Sequence, residues 1–234
     1  MSQDSERREG TSVLTVRDVQ YAYPRTTALR GVSLQVQAGE VVAVTGRSGS
    51  GKSTLLHVCG GLLRPQSGTV SIAGQQLEAL DDSAASAVRR RQVGIILQHG
   101  QLVPELSVVD NVSLPLVLDA HQRAAARELA LDWLDKVGVP ELADAFPPEL
   151  SGGQAQCVAV ARALVTGPRL VLADEPTGSM DADGGDRLLT LLLEQCRSAG
   201  RALLVVTHDN RVAAAADREI RLVDGVVEHE AVLR

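Results

Sequence analysis

The stretch "VVAVTGRSGSGKS", residues 41–53, decides the fold of this chain. Its first five residues form a short apolar run without alternation, which predicts a strand covered on both faces, as in a parallel sheet. The next eight match G-x-x-x-x-G-K-[ST], and a helical pattern follows from Ser53 to Cys59. A strand, a glycine-rich loop and a helix in this order predict an α/β protein whose loop binds the phosphates of a nucleotide.

The loop supplies a candidate nucleotide contact at each position. Its glycines let the backbone curl so that successive N–H groups face a phosphate. Lys52, one of only two lysines in the chain, is expected to place its charge between the β- and γ-phosphates. The Ser53 hydroxyl is expected to ligate Mg²⁺. The predicted nucleotide-binding residues of this segment are Gly46, Arg47, Ser48, Gly49, Ser50, Gly51, Lys52, Ser53 and Thr54.

Three more apolar runs repeat the strand pattern: "VGIIL" at 93–97, "LVLAD" at 170–174 and "ALLVVT" at 202–207. Helical patterns lie between them, which predicts crossover connections and a parallel sheet. Near the start of the chain, "SVLTVRDVQYAY" and "GVSLQVQAGE" alternate and predict an antiparallel flank. Asp224 and Gly225 separate two further runs and predict a hairpin turn.

The middle of the chain, residues 99–166, shows little strand pattern and is predicted to be a helical lobe inserted into the α/β core. Within "HQRAAARELALDWLDKVG", Gly138 is expected to end a helix. The face of this helix expected to be buried consists of Ala126, Leu129, Ala130, Trp133 and Val137. Residues 1–12 are polar and charged, which predicts a disordered tail before a single domain over 13–234.

Composition and charge indicate a globular protein and argue against nucleic-acid binding. The chain has 234 residues, of which 44% are hydrophobic and 22% charged, as in an ordinary globular protein. Its net charge is −6, and no basic run is long enough for a nucleic-acid footprint, so no nucleic-acid partner is expected. The densest basic cluster, at 89–91, is interpreted as a solvated helix end.

Cysteines and hydropathy indicate the compartment. Cys59, Cys157 and Cys196 are odd in number and widely spaced, which favours reduced thiols of a cytosolic protein over a disulfide framework or a metal site. No apolar stretch approaches the ~18 residues of a membrane span, and the N-terminus lacks the apolar core of a secretory signal.

Polar residues that follow the apolar strands complete the candidate catalytic site. Asp174 ends the "LVLAD" run and could hold Mg²⁺ through water, while Glu175 could orient or deprotonate an attacking water. His208, in "VVTHD", could reach a γ-phosphate, and Gln98 could contact the metal or the water. The predicted catalytic residues are Glu175, His208, Gln98 and Lys52. The predicted metal ligands are Ser53, Gln98 and Asp174.

A second glycine-containing stretch, "LSGGQAQCVAV" at 150–160, raises the question of a second anion site. Ser151, Gly152 and Gly153 are expected to form a short flexible loop ahead of a helix, which presents N–H groups to an anion. The stretch has no lysine and no acidic strand end directly after it, so it is a poor independent nucleotide site. We expect it to complete the P-loop site by adding N–H groups and the Ser151 hydroxyl. These residues leave open whether it does so within one chain or across a dimer.

The order of these motifs resembles the ATP-binding subunit of an ABC transporter over residues 13–229. The P-loop, Gln98 after a strand, "LSGGQ", "LVLADEP", "TGSMD" and "THD" carry the resemblance. The stretch "LVPELSVVDNVSLPL", 102–116, is similar to the branch of macrolide-efflux, lipoprotein-releasing and cell-division ATPases. The resemblance implies an α/β fold with a P-loop NTPase (RecA-like) core, an antiparallel β flank and an inserted α-helical subdomain.

The resemblance also implies roles for particular residues. Tyr23 of "YAYP" would stack on adenine, with Tyr21 as the alternative. Asp181 would lie at a dimer interface beside Glu175, and His208 would be the switch histidine. Two chains would associate head to tail and bury two ATP molecules with Mg²⁺, and residues 99–118 would face a membrane permease. The signature residues implied to bind nucleotide are Ser151, Gly152, Gly153 and Gln154.

The implied function is ATP hydrolysis that powers a separate permease for export or extraction, by a cytoplasmic chain peripheral to the inner face of the membrane. The same ATPase could instead drive transmembrane signalling to cell-envelope enzymes. A soluble ABC protein that acts on ribosomes or DNA usually has two cassettes or long insertions and basic surfaces, which this chain lacks. Cys157, Ser179 and Met180 depart from the common Arg, Asn and Leu of the family and bear on rate or coupling.

Overall fold

A computed structural model describes residues 12–98 and 101–233. The predicted disordered tail therefore lies outside the described residues, with the exception of Ser12. Ser12 opens strand β1 (Ser12–Tyr23), and its hydroxyl donates to the carbonyl of Leu14 at 2.8 Å. Ser12 pairs with Gln37 of the neighbouring strand, so its assignment to a disordered tail was wrong.

The continuous apolar runs form the centre of a six-stranded sheet. Its strands are β3 (Val41–Thr45), β6 (Val93–Ile96), β7 (Leu170–Asp174), β8 (Ala202–Val206), β9 (Arg218–Val223) and β10 (Val226–Val232). They lie in the order β10-β9-β3-β8-β7-β6, and every neighbouring pair except β10–β9 is parallel. All positions of β7 and β8 are buried, as the continuous runs predicted. The carboxyl ends of the parallel strands share one edge of the sheet.

The alternating segments form the predicted antiparallel flank. Strand β1 pairs antiparallel with β2 (Thr26–Gln37) and with β4 (Ser67–Ile72), and β4 pairs with the short β5 (Gln75–Gln76). The β9–β10 hairpin turns where predicted, since Asp224 and Gly225 have φ of 48° and 79°, as a type I′ turn requires.

Helices cover both faces of the central sheet. They are α1 (Lys52–Cys59), α2 (Asp82–Gln92), α3 (Val108–Leu118), α4 (Arg123–Lys136), α5 (Gly152–Leu164), α6 (Ala182–Ser198) and α7 (Asn210–Ala214), with 3₁₀ turns at Leu77–Ala79, Pro140–Leu142 and Pro147–Glu149. Helices α3 to α5 lie between β6 and β7, and the described residues of that segment contain no strand. The boundaries 99 and 166 of a separate helical lobe stay a prediction.

The buried face of α4 is narrower than predicted. Trp133 is 7% exposed and belongs to the core as expected, but Leu129 is 42% exposed, so its assignment to that face was wrong. On a helix that turns 100° per residue, Leu129 lies about 70° from the centre of the other four predicted positions. It therefore falls on the margin of the apolar stripe. Gly138, with φ of 77°, follows the last turn as predicted.

The start of α5 also differs from the expectation. Gly152 and Gly153 lie in the first helical turn and do not form a flexible loop. The Ser151 Oγ accepts from the N–H of Gln154 at 3.2 Å, and the Gln154 Oε1 accepts from the N–H of Ser151 at 2.8 Å. This reciprocal capping box winds the two glycines into the helix.

The arginine cluster at 89–91 joins two helices. Arg90 and Arg91 both donate to the Asp119 carboxylate at the end of α3, at 3.4 and 2.7 Å. The Arg91 side chain stays 60% exposed, but the interpretation as a merely solvated helix end was incomplete. These bonds hold the pKa of Asp119 below its ordinary value, chiefly through the hydrogen bond from Arg91.

The three cysteines are all buried and unpaired. Within residues 12–98 and 101–233, the helices are too short or too polar for any of them to cross a bilayer.

Candidate nucleotide-binding site

A cavity of about 460 Å³ lies at the carboxyl edge of the parallel strands, within the size range of small-molecule sites. It brings together most of the predicted site residues. Those that line it are Tyr23, Gly46, Ser48, Gly49, Gly51, Lys52, Ser53, Thr54, Gln98, Asp174, Glu175 and His208. Thr26, Ala28 and Val206 also line it and were not predicted from the sequence. The predicted residues outside it are Arg47, Ser50, Ser151, Gly152, Gly153, Gln154 and Asp181.

The P-loop backbone runs close to neighbouring strands, which only glycine permits. A Cβ on Gly46 would lie 2.2 Å from the carbonyl oxygen of Leu222, and one on Gly51 would lie 2.4 Å from that of Ala28. Both glycines also have positive φ, 146° and 102°. These two glycines therefore allow the P-loop backbone to curve along the floor of the cavity.

The amino-terminus of α1 is left without a side-chain cap. Its N-cap residue is Gly51, which offers no acceptor to the first N–H groups of the helix. By contrast, five other helices are capped by a side chain that accepts from their first turn, namely Asp81, Ser107, Ser151, Asp181 and Asp209. Helix α4 also lacks a side-chain cap, but only the start of α1 lines this cavity. The first N–H groups and the positive end of the helix dipole suit an anion, and phosphate binding by α1 stays a prediction.

Lys52 and Ser50 occupy different depths of the loop. The Lys52 ammonium donates to the carbonyls of Gly46 and Arg47 at 2.8 and 2.9 Å, neutral acceptors that an anionic phosphate would replace with a stronger bond. Ser50 is 4% exposed, its N–H donates to the Arg47 carbonyl, and its Oγ has no partner among the described residues. Its predicted contact with a phosphate would have to displace that backbone bond.

The two tyrosines of "YAYP" differ in position. Tyr23 lines the cavity, is 44% exposed, and its hydroxyl lies 3.4 Å from the Thr54 Oγ1. Tyr21 packs on the core and meets Tyr23 edge to face, with ring centroids 5.1 Å apart. The exposed ring of Tyr23 is the one placed to stack on a base, and that role stays a prediction.

Glu175 and His208 form the polar pair at the end of the cavity. Glu175 Oε1 lies 2.6 Å from His208 Nδ1, and its Oε2 accepts from the hydroxyl of Thr207 at 3.3 Å. The hydrogen bond with Glu175 raises the pKa of His208, and nearby Lys52 opposes the shift. Thr207, only 1% exposed, was missed from the sequence, although its place directly before His208 in "THD" was a usable signal.

The backbone of Glu175 is held in an unusual conformation. Its φ is 48°, in the left-handed region, which costs a residue with a side chain about 1–2 kcal/mol. The N–H of Glu175 donates to the Val206 carbonyl at 2.9 Å, and the N–H of Gly178 donates back to the Glu175 carbonyl at 3.0 Å. The chain thus turns sharply where β7 ends, and this turn directs Glu175 towards His208.

Asp174, Ser53 and Gln98 fit a magnesium ion. The Asp174 carboxylate is 7% exposed and lines the cavity, where its oxygens can meet a cation. Carboxylate, hydroxyl and amide oxygens are the hard ligands that Mg²⁺ prefers, completed by water and substrate phosphates. No cluster of three or more His, Cys, Asp or Glu that could hold a metal by itself occurs among the described residues.

The signature residues lie with the segment before α6, outside the P-loop cavity. The Ser179 hydroxyl donates to the Gly152 carbonyl at 3.3 Å, and Met180 packs near Gly153. Asp181 caps α6 by accepting from the N–H of Gly184 at 2.7 Å. Two of the three departures from the family pattern therefore contact the signature glycines.

The third departure, Cys157, lies in α5 and is 9% exposed. Burial is the main cause that raises the pKa of its thiol, so it behaves as a small apolar side chain.

Comparisons with known proteins show which family this chain belongs to. A family model for ABC transporters matches residues 29–178. The chain is 46% identical over 201 residues to the lipoprotein-releasing system ATP-binding protein LolD of Bordetella pertussis, covering 86% of this chain and 87% of that protein. It is 40% identical over 221 residues to the macrolide export ATP-binding/permease protein MacB of Shigella flexneri, covering 93% of this chain and 34% of that protein.

Solved structures show the same fold. The dimeric, post-hydrolysis ATP-binding cassette MJ0796 bound to ADP and Pi superposes with a TM-score of 0.89 at 38% identity, covering 94% of this chain and 99% of that one. The protein cbiO1 from Clostridium perfringens, part of the ABC transporter complex cbiONQ, has a TM-score of 0.83 at 29% identity, covering 95% and 89%.

Proposed function

Because this chain belongs to the ABC transporter family, as an ATP-binding subunit of the branch that includes LolD and MacB, we propose that it hydrolyses Mg²⁺-bound ATP to drive a membrane permease. The family match and these relatives confirm the resemblance that the sequence motifs indicate. The names of these relatives speak of lipoprotein release and macrolide export, so a signalling role is not favoured. By analogy, the cargo is a lipophilic molecule released from or exported across the membrane.

The observation that supports ATP binding is the convergence of the P-loop, Asp174, Glu175 and His208 on one cavity. The phosphates lie against the uncapped start of α1, and Lys52 exchanges its carbonyl partners for the β- and γ-phosphates. The adenine stacks on Tyr23 at the exposed rim. Ser53, Asp174 and Gln98 would hold Mg²⁺, which when bound would neutralise charge on the phosphates.

Hydrolysis is assigned to Glu175, with His208 and Thr207 around it. Glu175 orients the attacking water or takes its proton, a role that requires a carboxylate within hydrogen-bond reach of the γ-phosphate region. His208 and Thr207 bond to its two oxygens and so restrict its orientation. In the closed site His208 transfers its contact to the γ-phosphate, which frees Glu175 for the water.

The signature completes a site in a second copy of the chain. Its residues do not line the P-loop cavity of the same chain. The Ser151 Oγ accepts a bond from Gln154, so its hydroxyl proton stays available for a γ-phosphate. A head-to-tail dimer places the signature of each chain over the P-loop of the other, with Asp181 at the interface, and the related cassette MJ0796 is dimeric.

The permease contact is assigned to residues 99–118, of which the structure describes 101–118. The side chain of Asn111, fully buried, accepts from the N–H of Val103 and donates to the carbonyls of Val103, Leu106 and Ser107. It holds this loop in one shape, as a docking surface requires. The chain thereby acts at the inner face of the membrane through its partner.

Replacing Lys52 by Ala tests the assignment. The variant should bind ATP weakly or hydrolyse it very slowly, because the charge on the terminal phosphates is lost, while circular dichroism stays that of the parent. Lys136→Ala is the matched control, since the only other lysine lies on α4 over Trp133, at 4.6 Å from its ring centroid. Parental ATPase rates in Lys52→Ala would refute the proposed function.

A further inference from the structure

A second cavity, of about 410 Å³, lies between α4, α5 and α6, within the size range of small-molecule sites. Among the described residues, none lines both this cavity and the nucleotide cavity. Two of the three residues that depart from the family pattern, Cys157 and Met180, line it. The proposed ATPase mechanism gives this cavity no role, so its lining calls for a separate explanation.

The buried part of the lining, called here the floor, is apolar. It consists of Cys157 of α5, Leu188 of α6, and Val137 and Val139 after α4, which are between 3% and 9% exposed. Because the family commonly has arginine at position 157, the cysteine of this chain leaves room that a longer side chain would fill. A buried thiol behaves as a small apolar group, so the room beside it suits a hydrocarbon.

The exposed edge of the cavity, called here the rim, is cationic. Its two charged residues are Lys136, at the end of α4, and Arg187 of α6, and both are exposed. Neither forms an ion pair with a described residue, and the Lys136 ammonium lies 4.6 Å from the ring centroid of Trp133. Burial raises the pKa of the Cys157 thiol, and the nearby charge of Arg187 opposes that rise. Although the chain carries a net charge of −6, the described lining of this cavity contains no acidic residue.

An apolar floor below a cationic rim fits an amphipathic anion, which has a hydrocarbon chain and one charged head group. The hydrocarbon chain removes the apolar surface of the floor from water. The head group pairs with Arg187, whose planar guanidinium binds a carboxylate through two parallel hydrogen bonds. It also draws the Lys136 ammonium from the Trp133 ring, because a carboxylate accepts hydrogen bonds that the ring does not. A small polar anion would leave the floor uncovered, and a neutral hydrocarbon would leave both cations without a partner.

We propose that this cavity is a binding site for a single-chain amphipathic anion, with its head group at Arg187 and Lys136 and its hydrocarbon chain on the floor. The site adjoins the signature, because Met180 Cγ lies 3.6 Å from where a Cβ on Gly153 would be. The inference goes beyond the proposed function and does not depend on it, since binding is measured without ATP.

Titration of the full-length chain with sodium octanoate, below its micelle-forming concentration, tests the proposal. We expect calorimetry to find saturable binding of one octanoate per chain. Binding should also change the fluorescence emission of Trp133, the only tryptophan, because Lys136 moves from the ring to the carboxylate. Acetate, which has the head group alone, and octanol, which has the hydrocarbon chain without the charge, should each bind at least tenfold more weakly.

Two variants locate the site. Arg187→Gln removes one cation from the rim and should weaken octanoate binding about fivefold, with octanol binding unchanged. Cys157→Leu fills the floor without changing the charge and should weaken the binding of both ligands at least tenfold. Arg221→Gln is the matched control, since it makes the same change at an exposed arginine of β9 outside this cavity, and it should leave octanoate binding at the parental value.

The proposal is overturned if octanoate does not bind, if octanol binds as tightly, or if Trp133 emission stays constant during binding. Parental affinity in Arg187→Gln or Cys157→Leu would equally overturn it, and so would a fivefold loss in Arg221→Gln, which would indicate general attraction to surface charge. If Cys157→Leu fails to fold, Cys157→Arg, with the common residue of the family, takes its place; if neither folds, Arg187→Gln decides. None of these outcomes bears on ATP hydrolysis, which Lys52→Ala tests separately.

Discussion

Mixing two inactive variants tests whether the signature serves its own chain or a second one. Lys52→Ala disables the P-loop half of a site, and Ser151→Arg blocks the signature half with a bulky cation. The Lys52 ammonium contacts the loop carbonyls of Gly46 and Arg47, whereas Ser151 caps α5, outside the P-loop cavity. The two substitutions therefore disable different halves without sharing a contact.

The structure sets the expected magnitudes. Ser151 is exposed, so an arginine fits there, and loss of its cap on Gln154 should cost about 1 kcal/mol of the free energy of unfolding, too little to unfold a domain of this size. In a head-to-tail dimer of one Lys52→Ala and one Ser151→Arg chain, one site gathers both defects and the other is intact. Equal mixing gives about half mixed dimers, each with one of two sites intact, so about a quarter of the parental rate should return.

The assay is phosphate release from ATP after the two variants have exchanged chains at equal concentration. A matched control mixes Lys52→Ala with Glu175→Gln. Both of these residues line the P-loop cavity of their own chain, so every site in the mixed dimer keeps one defect and no activity should return. Ser151→Ala, which removes the cap without adding bulk, separates loss of helix stability from loss of the site.

The reasoning is refuted if the first mixture recovers no more activity than the control while crosslinks between exposed cysteines, engineered near Ser50 and near Ser151, form with ATP only within a chain. Recovery in both mixtures would equally refute it, because Lys52 and Glu175 would then serve different sites.

Three other predictions follow from the site and the core. Glu175→Gln keeps the shape of the side chain but removes the base, so kcat should fall about 10²–10⁴-fold in a phosphate-release assay. ATP should still bind, and closed dimers should accumulate on size exclusion. A parental rate would place water activation at another residue. NMR titration should find the pKa of His208 above its ordinary value in the parent and lower in Glu175→Gln. A raised pKa means that the pair stabilises the protonated imidazole, so this stabilisation is present at low pH and is lost as pH rises through the raised pKa. An unchanged pKa in the variant would contradict the pairing. Trp133→Ala should lower the free energy of unfolding by about 3–5 kcal/mol in urea denaturation, since the ring is 7% exposed within the core, whereas Leu129→Ala, at an exposed position of the same helix, should cost much less.

Short-range patterns were sufficient for the elements of the fold. The continuous runs of β3, β6, β7 and β8 are buried strands of a parallel sheet because both faces are covered, and such strands have no polar face to reveal in the sequence. The P-loop could also be predicted from the sequence, because Gly46 and Gly51 occupy backbone positions where a side chain would collide with a neighbouring strand. These signals depend on neighbours in the chain, which the sequence displays directly.

The structure departs from the local pattern at the margin of an apolar stripe and at a capped helix start. Leu129 lies at the margin of an apolar stripe, where spacing alone does not distinguish a buried position from an exposed one. The glycines after Ser151 suggested a loop, but the capping box with Gln154 winds them into a helix. The place of Thr207 beside His208 is visible in the sequence, but its hydrogen bond to Glu175, 32 residues away in the chain, is visible only in the fold.

The sequence by itself determined which chemical groups are present and on which local elements they lie: a phosphate loop before α1, two carboxylates at the end of β7, a histidine after β8 and a glycine pair at the start of α5. Only the tertiary structure decided which of them meet. Glu175 and His208 are 33 residues apart in the chain and Gln156 and Leu97 are 59 apart, yet each pair is in contact, because strand order and helix packing bring distant segments together. The same packing keeps the signature out of its own chain's cavity, since α5 lies against β6 at the edge of the sheet, while the P-loop follows β3 nearer its centre. Sequence spacing contains no distance across a sheet, so that separation could be learned only from the fold.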